Sequence, residues 1–111
     1  MKHHQLIREY YECFRRRDRS RLVELLQSDL DYKSPFGNWN DRDTMLDAIW
    51  SHVGSVWAVE IEIFGTGPAY MVRYCHSTDS APRLAEYFYF EEDRIAKIEV
   101  YLGTGAVPEG Q

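Results

Sequence analysis

A chain of 111 residues, 44% hydrophobic and 28% charged, is long enough for one close-packed core and too apolar for disorder. Its formal charge of −5 speaks against nucleic acid as a general partner. Cys13 and Cys75 are far apart and outside any C-x-x-C spacing, which suggests neither a disulfide framework nor a metal site. No apolar run is long enough to cross a bilayer as a helix, and the opening MKHHQLIREYY lacks the apolar stretch of a signal peptide. The expectation is a soluble, cytoplasmic, single-domain protein over residues 1–111. It needs no cofactor or metal, has no membrane or nucleic-acid partner, and frays at 1–3 and 104–111.

Residues 4–17 bring Leu6, Ile7, Tyr10, Tyr11 and Phe14 to one face, predicting a first helix that ends in Arg15-Arg16-Arg17, where cations suit the helix dipole. Arg15–Arg21 is read as a solvated helix end in preference to a nucleic-acid patch. Asp18 is placed to cap a second helix running to about Gln27, with Leu22, Val23, Leu25 and Leu26 buried. An extended segment from Leu30 stops at Pro35-Phe36-Gly37, because the residue before proline avoids the helical region. Asn40 or Asp41 caps a third helix over about 42–52 that carries Met45, Leu46, Ile49 and Trp50.

Beyond His52 the apolar period changes from 3.6 to 2. Trp57, Val59, Ile61 and Ile63 alternate with polar neighbours, and Gly65-Thr66-Gly67-Pro68 marks a turn. Tyr70, Val72, Tyr74 and His76 share the inner face of the next strand. The last hairpin spans 85–103 and turns at Glu91–Arg94. Its first strand sets Glu86, Phe88 and Phe90 on one face, and its second sets Ile98, Val100 and Leu102 there. Glu86 is thus the one carboxylate on an apolar face. Such a group usually has a partner, a changed pKa or a task. Helices followed by a run of antiparallel strands predict an α+β fold, with helices packed on one face of a curved antiparallel sheet. A sheet closed in this way leaves a cone whose interior suits a small molecule.

In the order and spacing of these parts, the chain from about Leu6 to Gly103 resembles the nuclear transport factor 2-like (NTF2-like) superfamily. Its cone-shaped, cystatin-like fold includes ketosteroid isomerases and SnoaL-like polyketide cyclases. The markers are the polar turn before Asp18, the segment Asp31-Tyr32-Lys33-Ser34-Pro35-Phe36-Gly37, the third helix, and the closing strand Lys97-Ile98-Glu99-Val100-Tyr101-Leu102-Gly103. The resemblance to the isomerases implies that Tyr10 is a helix tyrosine donating to a developing oxyanion. It implies that Glu86, just before Phe88-Tyr89-Phe90, is a carboxylic acid kept neutral by its apolar site. Where the isomerases carry an aspartate base directly before Pro-x-Gly, this chain has Ser34.

A serine is a poor base at neutral pH without a group to take its proton, so His76 is the substitute base, with His52 behind it and His3 and His4 set aside as terminal. The cone lining is expected from Tyr32, Phe36, Trp57, Val59, Tyr70, Val72, Tyr74, Phe88 and Val100. Met71, Arg73, Cys75, Tyr87, Tyr89 and Tyr101 occupy the opposite face, and that apolar patch, like the superfamily resemblance, points to a homodimer. Two readings stand. One is an isomerase- or cyclase-like enzyme acting on a hydrophobic carbonyl compound. The other is a non-catalytic ligand-binding or protein-interaction module of the same fold.

Overall fold

A computed structural model describes residues 2–35, 37–52, 58–76 and 83–102, with the side chains of His52, His76, Arg83 and Leu102 outside that description. The first helix, α1 (Lys2–Arg16), buries Ile7, Tyr10, Tyr11 and Cys13. It stops where Arg17 turns into the left-handed region at φ 61°, and the Asp18 amide donates back to the Cys13 carbonyl at 2.8 Å, a C-terminal cap. Asp18 then accepts from the Arg21 amide at 3.1 Å and opens α2 (Arg19–Leu25). The Arg21 guanidinium grips both carboxylate oxygens of Glu9 at 2.6 and 2.9 Å and ties the two helices together.

Strand β1 (Leu26–Ser34) follows α2 without a loop, earlier than the expected start at Leu30. It turns into the short β2 (Gly37–Trp39), where Gly37 has φ 156° and a side chain would meet the Trp39 ring at 2.6 Å. Asp41 caps α3 (Arg42–Ile49) by accepting from both the amide and the hydroxyl of Thr44 at 2.8 Å. A 3₁₀ turn covers Trp50–His52. Four strands complete the chain: β3 (Ala58–Phe64), β4 (Ala69–His76), β5 (Arg83–Glu91) and β6 (Arg94–Leu102).

The six strands form one sheet in the order β2-β1-β6-β5-β4-β3, with the helices laid on its apolar face. The α+β architecture is as expected, with one correction. The sheet is mixed, because β1 runs parallel to β6, pairing Tyr32 with Ile98 and Lys33 with Glu99. The remaining pairs are antiparallel. Residues 2 and 3 make contacts with the far end of the sheet. Lys2 reaches Asp93 at 2.8 Å. The His3 ring stacks on Phe90 with centroids 4.0 Å apart. Its Nε2 donates to the Glu92 carbonyl at 2.7 Å, and its Nδ1 shares a hydrogen bond with the Tyr70 hydroxyl at 2.9 Å. The start of α1 is thereby fastened to the β5–β6 turn. Residues 104–111 lie outside the described residues.

Candidate functional site

Glu86 sits on β5 between Val72 of β4 and Val100 of β6, its nearest neighbours across the sheet. It is the one buried charged residue among those described, 3% exposed. The Tyr11 hydroxyl, brought down by α1, donates to Oε1 at 2.8 Å. The Tyr74 hydroxyl is a second hydrogen-bond partner. Burial disfavours the charged carboxylate, and the two phenols offset only part of that cost, so the pKa is pushed up from 4.5 to about 7. Burial, with the Glu86 charge second, raises the pKa values of Tyr10, Tyr11, Tyr32 and Tyr74, which therefore stay protonated as donors. The result is a buried cluster of phenols around one carboxyl group whose pKa is raised towards neutrality.

Tyr11, not Tyr10, is the phenol on Glu86. Successive residues of a helix are about 100° apart, so both tyrosines fit within one buried arc, and spacing alone does not choose between them. Tyr10 is core, edge-on to Phe14, Phe88 and Tyr11 with centroids 5.0, 5.4 and 5.2 Å away. The Ser34 hydroxyl donates to the Gly37 carbonyl at 2.9 Å, closing the β1–β2 turn. His76 lies on β4 opposite Ala58, and its side chain, like Phe36 and Trp57, lies outside the described residues.

Of the residues expected to line the cone, Tyr70, Val72 and Phe88 are fully packed core. Tyr32 is buried with its ring 5.8 Å from that of Trp39, while Tyr74 and Val100 border Glu86. Val59 instead lines an open groove of about 270 Å³ between α1 and β3, with Arg8, Tyr11, Glu12, Arg15, Ala58 and Ile61. The even alternation expected through Val59 and Ile63 is interrupted. A bulge between Val59 and Glu62, with Glu60 at φ 53°, puts Val59 opposite Cys75 and Ile63 opposite Val72. Tyr11 thus belongs both to the groove wall and to the Glu86 cluster. The signal for it was present in the apolar stripe of α1. Arg8 carried none, since only tertiary packing sets it beside β3.

No protein-family model matches the chain, and no curated protein matches it. Solved structures do. A candidate ketosteroid isomerase from Kribbella flavida superposes with a TM-score of 0.82 at 14% identity, covering 99% of this chain and 84% of its own. An NTF2-like protein of unknown function from Cytophaga hutchinsonii gives 0.79 at 13% identity, over 91% and 89%. A candidate polyketide cyclase from Sinorhizobium meliloti gives 0.76 at 20% identity, over 87% and 94%. Identities this low speak to architecture, and on that evidence the chain has the fold of the NTF2-like superfamily, an α+β cone.

Proposed function

We propose that this protein binds a small apolar carbonyl compound in the α1–β3 groove and moves a proton at it. Glu86 is the proton-carrying group, and Tyr11, whose hydroxyl is bonded to it, links that carboxyl to the groove. One observation carries this reading. A buried carboxyl with a pKa of about 7 is bonded to a phenol that also forms part of an open groove. A group poised near the working pH is best suited to both taking and returning a proton. With Ser34 engaged in a turn, Glu86 is itself the base, and His76 on β4 is retained as a second candidate. The names of the structural neighbours, among them a candidate ketosteroid isomerase and a candidate polyketide cyclase, agree with chemistry of this class.

Exchange of the α-protons of 2-tetralone in D₂O, followed by proton NMR, tests the proposal. The wild type should accelerate exchange above background, with a rate that rises through a midpoint near 7. Tyr11→Phe and Glu86→Gln should each lower the rate by roughly 10- to 100-fold, while Tyr10→Phe changes it less than twofold. Background rates in the wild type, or wild-type rates in both the Tyr11 and Glu86 variants, would leave the non-catalytic module. The close packing of Tyr70, Val72 and Phe88 inside the cone favours that module.

The outer sheet face is proposed to meet a second copy of the chain. Met71 and Tyr101 are 39% and 43% exposed there. By register they stand among Tyr87, Tyr89, the Glu62–Arg73 ion pair, Lys97 and Glu99. Mixed charge around an apolar centre can be matched by the same patch turned through a two-fold axis. Sedimentation equilibrium should give a dimer that Tyr101→Glu converts to monomer. A wild-type monomer at tens of micromolar would end this part of the proposal. A cytoplasmic location, suggested by the free thiols Cys13 and Cys75, belongs to the same reading.

A further inference from the structure

We infer that the ligand of the α1–β3 groove is an apolar molecule with one carboxylate head, and that Arg8 receives that head. The inference rests on the proposed small-molecule reading and adds the ligand's charge to it. The groove holds three charged side chains, Arg8, Glu12 and Arg15. Two of them cancel. The Arg15 guanidinium clasps Glu12 through Nε and Nη2, with contacts to both carboxylate oxygens. Arg8 makes no ion pair or side-chain hydrogen bond among the described residues, and it is exposed at the groove edge. The groove therefore carries one uncompensated positive charge.

The rest of its wall is Ala58, Val59, Ile61 and the Tyr11 ring, which offers surface to a hydrocarbon body. The whole chain bears −5, so its long-range field repels anions. A cation left open beside an apolar wall is then a local preference that the overall charge does not supply. The planar guanidinium fork matches a carboxylate in two parallel hydrogen bonds. At about 30 Å³ for each water-sized group, a groove of about 270 Å³ takes a ligand on the order of ten non-hydrogen atoms.

Octanoate and 1-octanol are matched in body and differ in the head. Each is titrated into the isotope-labelled full chain, and amide shifts are followed at residues 8, 11 and 58–61. Octanoate should bind about tenfold more tightly than octanol, with shifts at those positions. Arg8→Gln should bring the two probes to equal affinity, and Arg8→Lys should retain part of the preference. The same spectra report whether each variant is folded. Equal binding of both probes to the wild type, a preference that survives Arg8→Gln, or binding of neither probe would overturn the inference. Octanoate preference without 2-tetralone exchange would sink the catalytic reading alone. Exchange without octanoate preference would sink this one alone.

Discussion

Glu86→Gln should make the protein more stable than wild type at pH 8, with a gain several times smaller at pH 5. In the unfolded chain Glu86 gives up its proton near 4.5, and in the fold it keeps it to about 7. Between those values the folded state binds more protons, so stability falls as pH rises across that window and is flat above it. The gap corresponds to about 3 kcal/mol. Glutamine imitates the protonated acid in shape and cannot ionise, so the variant should lose the slope. The half-buried carboxyls of Glu9 and Glu12 and the exposed ones of Asp41 and Asp93 act in the opposite sense. Hydrogen bonds from Arg21, Arg15, Thr44 and Lys2 respectively hold them below their ordinary values, and what they contribute is lost only as pH falls through those lowered values. Wild-type stability should therefore peak at roughly pH 4.5–5. Urea unfolding at pH 5 and pH 8 decides it. A wild-type midpoint that is the same at both would mean that Glu86 titrates like a solvated acid.

Phe88→Ala is the second large effect, expected at about 3–5 kcal/mol. Against a total of about 5–15 kcal/mol for a domain, that is roughly a fifth of the stability or more. Phe88 is fully buried, paired across the sheet with Tyr70 and Ile98, and met edge-on by the rings of Tyr10 and Tyr11 at 5.4 and 5.9 Å. Its removal takes away the support behind the phenol that bonds Glu86. Phe88→Leu, which retains most of the volume, should cost about 1–1.5 kcal/mol and serves if the alanine variant does not fold. A cost below about 1 kcal/mol for alanine in urea unfolding would show that this row relaxes around the gap.

Local rules carried much of this structure. The apolar alternation in β5 put Glu86 beside Phe88 and Phe90, and all three are buried. Asp18 and Asp41 cap helices as their positions suggested, and the last hairpin turns at Glu92 and Asp93. What was not legible depends on partners distant in sequence. Alternation says which residues share a face and nothing about which strand lies alongside, so the parallel β1–β6 pairing had no signature. A bulge changes parity within one residue, which is how Val59 left the inner row. Tyr10 and Tyr11 are a single helix step apart, and the choice between them is made by where α1 sits on the sheet, as is the position of Arg8.

The strand order has a bearing on how the chain reaches this state. Until β6 inserts, the sheet consists of two separate pieces, a β2-β1 ribbon and a β5-β4-β3 meander. The meander can assemble from neighbours in sequence, whereas the ribbon must wait for a segment more than sixty positions downstream of its own start. Closing so long a loop is entropically costly and pushes that step late. A nascent chain still lacking residues 94–102 would leave Tyr32 and Lys33 with an open backbone edge during synthesis, and that is when such a chain is most exposed to pairing with a stranger.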